Sequence, residues 1–93
     1  MDRSKLEVFK NKDNYFVSLK AIESEDADIY ISACVTEEDI NNFTSWEDLL
    51  SNLTELFFFV RYKTEELKHL TRIKKMTEEE VLEYEDLIFT NQE

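Results

Sequence analysis

Between Lys5 and Val35 apolar and polar positions alternate with a period of two, which is the signature of half-buried strands. Leu6 and Val8 open the pattern, Tyr15, Val17, Leu19 and Ala21 continue it, and Ile29, Ile31, Ala33 and Val35 close it. Asn11, Lys12, Asp13 and Asn14 supply a turn between the first two runs, because Asn and Asp tolerate left-handed backbone and bond to their own main chain. Residues 23–26 supply the second turn. Connections this short predict an antiparallel meander with one face left for other elements to cover.

After Val35 the period lengthens to that of helices. Three threonines stand where a capping box would open a helix, Thr36 with Asp39, Thr44 with Glu47 and Thr77 with Glu80, and Thr64 before Glu65 and Glu66 is a fourth candidate cap. The helix opened by Thr44 is expected to place Trp46, Leu49, Leu50, Leu53, Phe57 and Val60 on a core-facing stripe. Its last turn, Phe57, Phe58, Phe59 and Val60, is apolar all round. Either later helices wrap over it, or part of it is exposed as a homodimer or partner contact. Leu67, Leu70 and Ile73 mark a short helix, and Val81, Leu82, Tyr84, Leu87, Ile88 and Phe89 a last one. The expected fold is α+β in a single domain, residues 1–93. Residues 1–35 form a three-stranded antiparallel sheet, followed over residues 36–93 by three or four helices packed on one face.

Composition sharpens this picture. Ninety-three residues, 42% of them hydrophobic, build one core. Glycine and proline are both absent, so the usual glycine-dependent forms of phosphate loops and nucleophile elbows are missing, and catalysis is not expected. Cys34 is the only cysteine, which excludes an intramolecular disulfide and points to a reducing cytoplasm. The longest apolar run is too short to span a bilayer, and no targeting segment is read at the start. One histidine, His69, and one cysteine make no metal site of the usual kind, so no cofactor is expected.

The charges change the picture most. The formal net charge is −11, and it is laid down in blocks. Residues 21–60 carry ten acids and no base, and residues 78–93 seven acids and no base; residues 61–77 carry six bases and two acids. Solvated faces usually interleave both signs, so such segregation favours a cationic partner and disfavours direct nucleic-acid or membrane contact. The basic block 61–77 has no aromatic-interleaved RNA-binding motif and is expected to pair with flanking acids. The candidate partner-binding carboxylates are Asp26 and Asp28 near a strand start, Glu37, Glu38 and Asp39 at a helix start, Glu47 and Asp48, and Glu79, Glu83 and Asp86 on one face of the last helix.

A short, acidic chain running strands before helices, with tracts lacking any base at 23–48 and 78–86, resembles the small phage-encoded inhibitors of host defence, including anti-CRISPR proteins and DNA mimics. The resemblance lies in format and charge. It implies a mode of action, binding a basic, nucleic-acid-handling protein such as a CRISPR effector, and transfers no functional residue. The rival readings are an immunity protein or antitoxin that neutralises a toxin, and a structural or adaptor subunit self-associating through Phe57, Phe58 and Phe59.

Overall fold

The computed structural model describes residues 6–52 and 55–90. The first three expected strands are present as β1 (Leu6–Asn11), β2 (Asn14–Glu23) and β3 (Ala27–Val35). The sheet, however, has five strands and not three, because β4 (Leu56–Tyr62) and β5 (Arg72–Lys75) extend it in the order β1-β2-β3-β4-β5, every neighbour antiparallel. Four short helices accompany it: α1 (Glu37–Asn42) and α2 (Trp46–Leu50) between β3 and β4, then α3 (Glu78–Glu83) and α4 (Glu85–Thr90) after β5.

The correction at β4 has a clear cause. Its residues face packed neighbours on both sides, so the run Leu56 to Val60 is continuously apolar and carries no period that separates strand from helix. Three consecutive phenylalanines and a valine, bulky at Cβ or ringed, fit the pleated surface between β3 and β5 better than a helix turn. The helix expected to continue through Phe57 and Val60 therefore ends at Leu50; Leu53 lies outside the described residues. The helix expected around Leu67 to Ile73 is a single 3-10 turn, Lys68–Leu70, followed by β5, a short lysine-rich strand whose Ile73 pairs in register with Phe59. Thr64 caps no helix, and its carbonyl closes a turn by accepting the Leu67 and Lys68 N–H groups.

Capping chemistry holds where helices do form. Thr36 Oγ1 accepts from the Asp39 N–H and Thr77 Oγ1 from the Glu80 N–H, both at 3.2 Å, and each acid reaches back to its threonine's N–H. At α2 the cap is one residue later than expected: Ser45, not Thr44, accepts from the Asp48 N–H at 3.1 Å, and Asp48 takes the Thr44 N–H. The last helix is broken at Tyr84, where φ −99° and ψ 13° divide α3 from α4.

Two packed layers result. On one face Val17, Leu19, Ile31, Ala33, Val35 and Leu56 meet Phe43, Trp46, Leu49, Met76 and Ile88 from the helices and their flanks. Trp46 is fully buried and its indole N–H donates to the Ile88 carbonyl at 3.0 Å, which ties α2 to α4 and satisfies both groups. The opposite face is filled by its own rings. Phe9 on β1 stacks on Phe59 of β4 with centroids 4.4 Å apart, although three strand spacings would separate β1 and β4 by about 14 Å in a flat sheet. The sheet therefore curls toward this face, and the concavity holds Tyr30, edge-on to Phe9 at 5.0 Å, and the Phe16–Phe57 pair. Beneath the rings lie two fully buried serines, Ser18 and Ser32, their hydroxyls 2.7 Å apart.

Candidate partner-binding surface

The four helices carry eleven carboxylates, Glu37, Glu38, Asp39, Glu47, Asp48, Glu78, Glu79, Glu80, Glu83, Glu85 and Asp86, and no lysine or arginine. All other segments of the chain together hold eleven acids against eleven bases, so the helical layer by itself accounts for the net charge of −11. Local physics explains part of this placement. In helices of five or six residues most positions belong to the first turn, where carboxylates meet the positive end of the dipole and free N–H groups. Glu83 is different, since it closes α3 at the end where a negative charge is disfavoured.

Tertiary packing then gathers these short helices on one face of the sheet. Asp39 of α1 and Asp48 of α2 line one shallow depression with Asn42 and Asn52, and Glu47 of α2 borders another with Phe89 of α4. Of the helical carboxylates, Glu80 meets a lysine, Lys74 at 3.5 Å; its carboxyl lies below the usual range because it accepts the Thr77 N–H, with the lysine adding to the effect. Glu37, Glu38, Glu47, Glu79 and Glu83 are exposed and form no ion pair among the described residues.

The basic block is occupied elsewhere. Lys68 holds Glu65 at 2.7 Å, which draws that carboxyl below its ordinary range, and Lys75 holds Glu55 at 2.8 Å. Lys20 and Lys63 both engage Glu23 and Asp28. Lys20, Lys63, Lys68 and Lys75 thus pair with sheet and loop acids, and Lys74 is the base that meets a helical carboxylate in these pairs, which leaves Glu37, Glu38, Glu47, Glu79 and Glu83 without an ion pair among the described residues.

The structure divides the ten predicted site residues. Glu37, Glu38, Asp39, Glu47, Asp48, Glu79, Glu83 and Asp86 lie on the helices, but the expected single row through Glu79, Glu83 and Asp86 is interrupted by the break at Tyr84. Glu78, Glu80 and Glu85 join them; the same acid-only tract held that signal. Asp28 lies apart from this layer, on β3. It points to the concave face, is 8% exposed, and sits 3.2 Å from Lys63 Nζ and 3.9 Å from Lys20 Nζ, pairs that only strand neighbours across the sheet could supply. Asp26 is exposed in the β2–β3 turn, where its carbonyl accepts the Lys63 N–H.

At the mouth of the concavity Glu7, Lys20, Asp28, Tyr30, Arg61, Lys63 and Lys68 surround an open space of about 360 Å³. Its charges largely cancel through the pairs just described, while Arg61 rests on the Phe9 ring at 5.4 Å. Burial, with the Glu7 carboxylate beside it, pushes the Tyr30 hydroxyl well above its ordinary pKa. Cys34 lies opposite Phe16 on this face, half-buried, its thiol raised mainly by burial. The three rings offered as a self-association contact are engaged internally: Phe57 with Phe16, Phe58 with Tyr84, Phe59 with Phe9 and Tyr30. No helix among the described residues is long and apolar enough to cross a membrane, and no group of His, Cys, Asp and Glu among them is arranged to hold a metal ion.

Compared with family models, curated proteins and solved structures, the chain matches none of them.

Proposed function

We propose that this protein is an acidic inhibitor that covers a basic surface of a nucleic-acid-handling protein with its helical layer. One observation carries the reading: the four helices of one face hold a charge equal to the whole net charge, and Glu37, Glu38, Glu47, Glu79 and Glu83 on them are exposed and form no ion pair among the described residues. Carboxylates held on rigid elements engage Lys and Arg side chains that otherwise grip phosphates, and charge-assisted bonds of this kind compete directly with a nucleic-acid backbone. The field of such a layer also steers encounter, so association is fast at low salt and slows steeply as salt rises. A CRISPR effector of the type bound by the inhibitors that this chain resembles is one target of the required chemistry.

The test uses capture from a host lysate at low and high salt, with and without competing duplex DNA or RNA. A helical variant carrying Glu37→Lys, Glu38→Lys, Glu47→Lys, Glu79→Lys and Glu83→Lys is compared with a control carrying Glu25→Lys and Asp26→Lys on the β2–β3 turn. Both sets are exposed and spare the core, and far-ultraviolet circular dichroism confirms that each variant is folded before capture is compared. Loss of capture in the first only, and displacement of the wild type by nucleic acid, support the reading. Equal capture by the helical variant overturns it. A target that nucleic acid fails to displace assigns the protein to toxin neutralisation.

A further inference from the structure

Leu82 is 68% exposed, the most exposed of the large hydrophobic side chains among the described residues, and it stands on the acidic helix α3. A lone exposed leucine is ordinary. This one is not alone. It forms the lip of an open groove of about 640 Å³ whose apolar floor is Leu56, Met76 and Val81. Met76 and Leu56 are anchored, the Met76 N–H donating to the Leu56 carbonyl at 2.8 Å, so the floor is rigid backbone-tied structure.

The rim sets the sign of what enters. Glu78 lies one helical turn before Leu82, Glu79 lies three residues before it, and Glu83 follows it. Lys75, the cation lining the groove, is held by Glu55 at 2.8 Å, and Lys74 by Glu80 at 3.5 Å. Glu78, which lines the groove, therefore remains unmatched, and Glu79 and Glu83 flank Leu82 along α3 without an ion pair among the described residues. A desolvated apolar centre inside a charged rim is the arrangement in which binding energy concentrates. A second copy of this chain would bring its own net charge of −11 against that rim, which disfavours it as the occupant.

We infer that this groove receives an apolar side chain from a lysine- or arginine-rich segment of the partner, with Leu82 as its contact. The inference rests on the reading of the helical layer as the partner face, and adds the place on that layer where contact is apolar. Carboxylates alone reward any cation, whereas the groove selects basic segments that also carry a leucine-like residue, and so supplies specificity that charge cannot.

Two synthetic peptides of equal length and charge serve as probes, one with leucines and lysines at helical spacing, the other with serines replacing the leucines. Binding is followed by amide and methyl NMR shifts of the labelled full chain at low salt. The leucine peptide is expected to move the signals of Leu56, Met76, Val81 and Leu82. The serine peptide is expected to move signals of the acidic helices without those of the floor. Leu82→Ser, a change at an exposed position that spares the core, lowers affinity for the leucine peptide about tenfold and leaves the serine peptide unchanged. Equal binding of both peptides, shifts confined to the concave face, or an unaffected Leu82→Ser variant overturns the inference while leaving the electrostatic reading standing. Failure of both peptides to bind at low salt overturns both. Concentration-dependent shifts of the floor residues without peptide, with a dimer in sedimentation, assign the groove to a second copy and overturn it too.

Discussion

Ser18 and Ser32 pair across β2 and β3 with their hydroxyls 2.7 Å apart, and neither side chain touches solvent. Replacing Ser18 by Ala removes one partner and strands the other in a dry interior. A neutral hydrogen bond contributes about 1 kcal/mol net, and a buried hydroxyl left unsatisfied costs about 1–3 kcal/mol, so each single variant is expected to lose about 1.5–2.5 kcal/mol. The double variant Ser18→Ala/Ser32→Ala removes both hydroxyls together, and with them the desolvation each one costs, so its stability should lie within about 1 kcal/mol of the wild type. The coupling energy of the cycle then comes to about 2–6 kcal/mol in magnitude, well beyond the few tenths seen for independent sites. Urea titration of the four proteins by far-ultraviolet circular dichroism measures it. With a slope near about 1.2 kcal/mol/M for a chain of this size, each single variant shifts its midpoint down by about 1–2 M. Additive losses in the double variant would refute the reasoning, since they would mean that each hydroxyl is satisfied by something other than its neighbour. Curling of the sheet is what makes this pair dry: the aromatic rings of β1 and β4 close over it.

Other expectations follow from the same face and from the first turn. Because the Tyr30 hydroxyl is raised above its unfolded value, the folded state stays neutral where the unfolded chain ionises; stability is fully present below pH about 10 and falls as pH rises beyond it. Tyr30→Phe should remove part of that alkaline loss in unfolding curves run between pH 9 and pH 11 at about half-unit steps, and an unchanged alkaline slope would speak against burial of the hydroxyl. Lys12 has φ 59°, the positive-φ residue of the two-residue turn between β1 and β2, at the position where a turn with one positive φ takes glycine. Lys12→Gly should raise the urea midpoint by the equivalent of about 0.5 kcal/mol, relief of the Cβ clash outweighing the added freedom of the unfolded chain. A lowered midpoint would show that the lysine side chain contributes more than the backbone strain costs.

What could be read along the chain and what could not divides at the point where residues begin to depend on distant neighbours. The first three strands were legible because one face of each meets the helix-covered core, and alternation at period two records that directly in Val17, Leu19, Ile31 and Ala33. Two of the capping boxes were legible because their bonds close within three residues. Leu56 to Val60 was misread as helix because packing on both faces erases the period, and the structure's β3 and β5 on either side are what make it a strand. Asp28 looked like its acidic neighbours and became a structural ion-pair centre only when sheet pairing brought Lys20 and Lys63 beside it.

The same division applies to function. Segregation of acids into tracts without bases is a property of the chain itself, fixed before any folding, and it already implied attraction to a cationic surface. That the helical parts of these tracts gather on one layer, while Lys63, Lys68 and Lys75 of the basic block meet sheet and loop acids, was decided by tertiary structure, because only the packing of four short helices against one sheet face sets which charges can reach one another. Curvature of the sheet, which brings Phe9 of β1 onto Phe59 of β4, is likewise a property of the paired strands together and of no single segment.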